Sequence, residues 1–149
     1  MPELSEREQQ IVAIFNTQGK DTLPGRMGIK ITRASAERVV GTMPVAGNTQ
    51  PYGILHGGAS CVLAESLGSL GSALQAGPGR VTVGIEINAT HHRAVRSGLV
   101  TGVATLLHSG RTMSTFDIVI TDEDGRRVCT ARLSCLHRDA VPGGGQPPA

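Results

Sequence analysis

Residues 54–77 read ILHGGASCVLAESLGSLGSALQAG, and this stretch decides the fold. Large apolar residues recur around most of the circumference of a helix drawn through it. They are Val62, Leu63, Leu67, Leu70 and Leu74. A helix that is apolar or small on nearly every side is one surrounded by protein. Glycine and proline at positions 77–79 end it, so the stretch predicts one long helix inside a domain.

Strand-like segments lie on both sides of this helix in the chain. Residues 27–45 predict two strands joined by a turn near residues 34–37, followed by a loop over 44–51. Four further strands are predicted at 80–93, 98–110, 112–122 and 126–137, with Asp124-Gly125 as the clearest hairpin turn. We therefore expect an α+β fold in which an antiparallel sheet wraps around one long central helix.

A single domain over residues 1–137 accommodates these elements. Ser5 and Glu8 form a capping-box pattern that predicts an amphipathic helix over 5–16, within the first 20 residues. The Gly/Pro-rich residues 138–149 are expected to be a disordered tail. A length of 149 residues suits one hydrophobic core.

Composition limits the partners and the compartment. The formal net charge is only +2 and no Lys/Arg cluster stands out, so we expect no nucleic-acid partner. The apolar run around Glu65 is too polar at its middle for a membrane span. Three cysteines and no signal-peptide pattern predict a cytoplasmic protein. No cofactor motif and no metal-ligand spacing are found, and adjacent His91 and His92 should point to opposite faces of a strand.

Glu65 is the one ionisable carboxylate in the central stretch. A charge in an apolar helix needs partners or a raised pKa, because desolvation disfavours the ionised form. Cys61, Ser69 and Ser72 share its helix face and could line a cavity. The alternative is that this face simply reaches solvent.

Gly57 and Gly58 begin the helix, directly after His56. Without side chains there, a ligand can approach first-turn amides that point outward at the positive end of the helix dipole. Such amides can bind an oxyanion. Tight packing is the alternative for a glycine pair, but together with His56 and Glu65 the functional interpretation is favoured.

The spacing of Gly57 and Glu65 predicts an oligomer. At about 1.5 Å per residue they lie about 12 Å apart along one helix. A base and an oxyanion donor must both lie within about 3 Å of the reacting group. If both act on one carbonyl, Glu65 must come from a second, antiparallel helix, which predicts a twofold homodimer with its sites at the interface.

Several segments resemble the hotdog-fold acyl-CoA thioesterases, in the branch of 4-hydroxybenzoyl-CoA and 1,4-dihydroxy-2-naphthoyl-CoA thioesterases. The segments are QPYGILHGGASCVLAESLGS (50–69), VGIEINATHHR (83–93), LVTGVATLLHSGR (99–111) and DEDGRRVCTARLS (122–134). The resemblance covers roughly residues 25–137. It implies hydrolysis of an acyl-CoA with an aromatic acyl group, no cofactor besides the coenzyme A of the substrate, and a tetramer built from two dimers.

The resemblance also implies roles for individual residues. Glu65 matches the nucleophile or general base, and Gly57 matches the amide that polarises the thioester carbonyl. Residues that orient the thioester or the attacking water are matched by His56, Gln50 and Ser69. Contacts to coenzyme A are implied for His91, Arg93, Ser109, Gly110 and Arg111. Apart from the resemblance, Gly58 and Ser66 are expected to contact substrate, and Ser72 is expected either to line the cavity or to serve packing. Guesses for the acyl-pocket lining are Leu67, Leu70, Ser72 and Met113.

Two other functions remain open at this point. A hotdog dehydratase or hydratase would act on a carbon beside the thioester, although that class pairs an acid and a His in another arrangement. A non-catalytic acyl-CoA binding module is the second, because resemblance alone does not establish turnover. Cys61 as a nucleophile is disfavoured, and Cys129 and Cys135 are expected to be core thiols.

Overall fold

The structure is a computed structural model, and it describes residues 3–142. Six strands form one sheet in the order β1-β2-β4-β5-β6-β3, with every neighbouring pair antiparallel. The helices are α1 (Glu6–Gln18), α2 (Leu23–Arg26) and α3 (Gly57–Ala76), and the strands are β1 (Lys30–Ala34), β2 (Arg38–Pro44), β3 (Arg80–His91), β4 (Leu99–Ser109), β5 (Met113–Thr121) and β6 (Arg127–Asp139). The predicted hotdog fold, a sheet around one long helix, is confirmed.

Small residues on α3 let the sheet approach the helix closely. A Cβ added at Gly68 would lie 2.6 Å from Cδ2 of Leu133, and one added at Gly71 would lie 2.6 Å from the ring of Phe116. Leu63 and Leu67 of the same helix are fully buried in the core. The Gly and Ala content of the stretch therefore serves packing on the side that faces the sheet.

The far side of α3 is open in a single chain. Gly58, Glu65 and Ala73 are exposed along it. The expectation that protein surrounds the helix on nearly all sides is therefore wrong for one chain, because the sheet covers only one side. Glu65 lies on this open side, so in a single chain its helix face reaches solvent, as the alternative interpretation of the sequence predicts.

The helix α1 covers one edge of the sheet. Its predicted capping box is present, with the Glu8 N–H donating to Ser5 Oγ and the Ser5 N–H donating to the Glu8 carboxylate. The Asn16 side chain donates to the Ile31 carbonyl and accepts from the Ile31 N–H, both at 2.8 Å. These bonds satisfy backbone groups at the outer edge of β1, which would otherwise be free to pair with another strand.

The other edge of the sheet is the 12-residue strand β3, which pairs only with β6 among the described residues. Val83 and Ile85 on it are 50% and 54% exposed. A long edge strand with exposed apolar residues is a template for pairing with another chain. The edge at β1 is thus covered by a helix, whereas the edge at β3 exposes apolar side chains.

Three details differ from the sequence prediction or complete it. The four-residue helix α2 was not predicted, and β6 continues to Asp139, two residues beyond the expected end at 137. Of the expected tail, residues 143–149 lie outside the described part. Over residues 3–142, no helix is long and apolar enough to cross a membrane, and no cluster of His, Cys, Asp or Glu could hold a metal ion.

Candidate active site

The start of α3 is built by His56. Its imidazole Nδ1 accepts a hydrogen bond from the Gly58 N–H at 2.8 Å, so the side chain caps the helix. A ring nitrogen that accepts carries no proton, which places the proton of the neutral ring on Nε2. His56 was expected to orient substrate or water. The cap uses only Nδ1, so that role stays a prediction for Nε2.

This cap leaves one first-turn amide available to a ligand. The Gly58 N–H is used by His56, whereas no acceptor for the Gly57 N–H is found within the described part of the chain. Gly57 lies at the positive end of the 20-residue helix dipole. The structure thus distinguishes the two glycines, and Gly57 retains the free donor.

A cavity of about 320 Å³ opens beside this amide. Its lining comprises Gln50, Ile54, Leu55, Gly57, Ser60, His91, His92, Arg93, Ala94 and Val128. The His91 ring lies directly over Gly57, since a Cβ there would be 2.8 Å from His91 Nε2. Four of the residues expected from the sequence, Gln50, Gly57, His91 and Arg93, therefore meet at one place.

Gln50 is held by a tight loop at the mouth of the cavity. Its carbonyl accepts from the Gly53 N–H and its N–H donates to the Ile54 carbonyl, each at 2.9 Å. Its side-chain oxygen accepts from the Tyr52 N–H at 2.5 Å. With the oxygen engaged, the side-chain NH₂ is the group that Gln50 can direct toward a ligand.

Sequence reasoning missed several lining residues. Ser60 is buried one helical turn after Gly57, so helical spacing would have found it. Val128 reaches the cavity from β6, and only the strand pairing places it there. His92 also borders the cavity, and its Nε2 lies 2.9 Å from Thr130 Oγ1.

Glu65 lies two turns further along α3 on the open side of the helix. It is exposed, and within the described residues its carboxylate makes no hydrogen bond or ion pair. Gly84 of β3 lies against it, because a Cβ added there would be 2.8 Å from Glu65 Oε1. At about 12 Å along the helix from Gly57, this carboxylate cannot reach the same carbonyl within one chain.

The serines of α3 have different surroundings. Ser69, one turn after Glu65, is half-buried, and Ser66 Oγ donates to the Val62 carbonyl at 2.7 Å. Ser72 is fully buried and accepts a hydrogen bond from Ser114 Oγ at 2.7 Å. The expected contact between Ser72 and substrate, and its place in an acyl pocket, do not fit this placement because its hydroxyl faces the core.

Ser109 ends β4, and Gly110 and Arg111 begin the turn that leads to β5. The Gly110 N–H donates to the Met113 carbonyl at 2.8 Å, and Ser109 Oγ donates to Gln75 Oε1 at 2.8 Å. Gln75 is near the far end of α3, about 27 Å along the helix from Gly57. Within one chain this turn is therefore separated from the cavity at the helix start.

The cysteines do not provide a nucleophile. Cys129 and Cys135 are buried, and burial raises the pKa of Cys129 to about 11. Burial, and secondly the charge of Glu65, also raise the pKa of the Cys61 thiol. Burial likewise raises the pKa of Cys135. Because the thiolate is the reactive form, these shifts disfavour all three thiols as nucleophiles. The prediction that Cys129 and Cys135 are core thiols is confirmed.

Comparison with known proteins identifies the class. Residues 52–129 match the family described as the Thioesterase superfamily. The proofreading thioesterase EntH of Klebsiella pneumoniae is 45% identical over 128 residues, which are 85% of this chain and 93% of that protein. The chain therefore belongs to the thioesterase superfamily, and the predicted enzyme class, a thioester hydrolase, is confirmed.

Solved structures agree with this assignment. Thioesterase HI1161 from Haemophilus influenzae superposes with a TM-score of 0.84 at 35% identity, covering 89% of this chain and 94% of that one. A variant of thioesterase PA1618 from Pseudomonas aeruginosa superposes with a TM-score of 0.82 at 39% identity, covering 94% and 96%. The expected resemblance to hotdog thioesterases is confirmed at the level of sequence and of fold.

Proposed function

We propose that the enzyme hydrolyses an acyl-CoA thioester, with an aromatic acyl group, to the free acid and coenzyme A. The observation that carries the proposal is that, within residues 3–142, the Gly57 N–H at the start of α3 has no acceptor and the Glu65 carboxylate on the open side of the same helix has no partner. These are a donor for a developing oxyanion and a base or nucleophile. The proposed reaction needs no cofactor besides the coenzyme A of the substrate.

We further propose that the two groups meet across a twofold homodimer. The open edge of β3, with half-exposed Val83 and Ile85, is suited to pair with the same edge of a second copy. Antiparallel packing of the two α3 helices would then bring Glu65 of the partner subunit toward Gly57. Two such dimers forming a tetramer is the assembly that the family resemblance implies.

In the proposed reaction the Gly57 N–H, assisted by the helix dipole, binds the thioester oxygen as it gains negative charge. Glu65 then acts in one of two ways. Its carboxylate attacks the carbonyl carbon, expels the coenzyme A thiolate and leaves an acyl-enzyme anhydride that water cleaves. Alternatively it takes a proton from a water held near Ser69 and the Gln50 amide, and the resulting hydroxide attacks the carbonyl carbon and expels the coenzyme A thiolate.

Recognition of coenzyme A is proposed for the part of the cavity wall that carries Arg93 and His91. Arg93 and His91 line the cavity, and a guanidinium can pair with phosphate oxygens through two parallel hydrogen bonds. Ser109, Gly110 and Arg111 lie beside the C-terminal end of α3. They would contact the coenzyme A bound in a cavity only if that cavity belonged to a second chain. Gly58 and Ser66 stay proposed substrate contacts, since both lie on the same helix as Glu65.

The first test measures thiol release from a panel of aryl, phenylacetyl and aliphatic acyl-CoA esters. Glu65→Gln should lower kcat by about 10²–10⁴, because the amide keeps the size but loses basicity and nucleophilicity. Glu37→Gln is the matched control, since Glu37 is an exposed glutamate in the β1–β2 turn. Retention of more than about a tenth of the wild-type kcat by Glu65→Gln would refute its role.

A mixing experiment tests whether the site is shared between subunits. Gly57→Pro removes the proposed oxyanion donor, and Glu65→Gln removes the base. If each site takes one group from each subunit, a heterodimer of the two variants has one intact site. Random mixing should then restore about a quarter of the wild-type sites. If both groups act within one chain, mixing restores nothing.

A further inference from the structure

Gly84 is the residue of β3 that lies against the Glu65 carboxylate. A Cβ built on Gly84 would be 2.8 Å from Oε1 and 3.6 Å from Cδ of Glu65. Its next neighbour, Cδ1 of Leu133, would be at an ordinary contact distance of 3.5 Å. The space that a side chain at position 84 would occupy is therefore held by the end of the Glu65 side chain.

Backbone conformation does not account for this glycine. Gly84 is not one of the seven described glycines with positive φ, so an L-residue could adopt its conformation without strain. A glycine within a strand loses packing and conformational entropy relative to alanine. The remaining reason for a glycine at this position is the room it leaves.

A β-bulge presents Gly84 to the helix. Gly84 pairs with Cys135 and Glu86 with Ser134, so Ile85 is the extra residue. Further along β3, Ile87 packs against the core. Because side chains alternate along a strand, a residue three positions before Ile87 would face away from the core if the strand were regular. The bulge reverses the alternation and places Gly84 beneath Glu65.

We infer that Gly84 is a positioning residue for the reaction, because its missing side chain, presented by the bulge at Ile85, fixes where the Glu65 carboxylate lies. The inference rests on the proposed role of Glu65. Gly84 itself contacts no reacting atom and acts only through the carboxylate.

A side chain at position 84 should lower the rate of the reaction without lowering the stability of the fold. A methyl group at position 84 collides with the tip of a flexible side chain and not with backbone, so the strand can keep its place while the carboxylate moves. A shift of about 1 Å in a catalytic group can cost about 10²-fold in rate. Gly84→Ala should therefore lower kcat at least about 10-fold, while KM stays within about threefold and the melting temperature is unchanged or slightly higher.

The experiment compares four proteins, wild type, Gly84→Ala, Glu65→Asp and the double variant, by kcat, KM, melting temperature and elution volume. Aspartate is shorter by one methylene, which withdraws the carboxylate from the added methyl. The expected result is strong non-additivity. Gly84→Ala lowers kcat at least about 10-fold in the wild type, but the double variant keeps a kcat within about twofold of that of Glu65→Asp. This rescue is a readout that a purely structural role for Gly84 would not produce.

Three results overturn the inference, and they are distinguishable. A kcat of Gly84→Ala within about threefold of wild type, while Glu65→Gln is inactive, rejects Gly84 and keeps the proposed function. An equal loss of kcat from Gly84→Ala in the wild type and in Glu65→Asp assigns Gly84 a structural role. A Gly84→Ala variant that fails to fold or to assemble assigns it the same role. An active Glu65→Gln rejects the proposed function itself, and the inference with it.

Discussion

Ser114 is the centre of a buried chain of polar side chains between α3 and the sheet. Removing its hydroxyl should lower the free energy of unfolding more than removing the hydroxyl of an exposed serine. Its Oγ donates to Ser72 Oγ at 2.7 Å and lies 2.9 Å from His137 Nε2. All three residues are buried, and they join α3, β5 and β6. With the hydroxyl donating to Ser72, it accepts from His137, which places a proton on His137 Nε2.

The cost of Ser114→Ala follows from these contacts. Each hydrogen bond contributes about 1 kcal/mol net, and a buried polar group left without its partner costs about 1–3 kcal/mol. The His137 Nε2–H would lose its acceptor and the Ser72 hydroxyl its donor, while the small change in volume adds little. We expect the free energy of unfolding to fall by about 2–4 kcal/mol.

Urea denaturation at one fixed protein concentration measures this change. Ser109→Ala is the matched control, because the same atom is removed from an exposed serine whose hydroxyl donates to Gln75. Its effect should stay within about 0.5 kcal/mol. Replacing Ser72 and Ser114 together should cost less than the sum of the single changes. A loss below about 1 kcal/mol for Ser114→Ala would refute the chain as a stabilising element.

Two further predictions concern pH and assembly. Burial, and secondly the charge of Arg80, hold the pKa of His137 below its usual range. The unfolded chain therefore binds this proton first, and stability should be lost as the pH falls from about 6.5 toward the lower folded-state pKa. His137→Gln should remove that part of the pH dependence in urea titrations, and an unchanged slope would contradict the assignment. Ile85→Lys on the open edge should yield a monomer in light scattering and lose thiol release, whereas Leu107→Lys, on an equally exposed residue of the interior strand β4, should do neither. A dimeric, active Ile85→Lys would place the subunit contact elsewhere.

The elements with strong local signals were predictable from the sequence. The central helix and the α1 capping box depend on residues within a few positions of one another, and both are confirmed. The strands were located because β-branched residues cluster between clear turn signals. The helix α2 was missed because four residues that include Pro24 and Gly25 carry no helical periodicity.

The site was predictable only where contacts are local. Gly57 could be found from its place at a helix start, whereas Val128 reaches the same cavity through strand pairing that the sequence does not specify. Ser72 was assigned to substrate because it shares a helix face with Glu65, and the sequence does not show which residue of the sheet bonds to its hydroxyl. That residue, Ser114, lies 42 residues further along the chain. Long-range hydrogen bonds therefore decided which serines face the core.

The two edges of the sheet explain how one chain can carry half of each proposed site. The edge at β1 is closed by Asn16 of α1, while over residues 3–142 nothing pairs with the outer edge of β3. Glu65 lies against Gly84 on that same open strand. Any second copy that pairs along β3 must therefore approach the carboxylate as well. On the proposed arrangement, the contact that completes the sheet also completes the catalytic pair, so assembly and activity should be lost together.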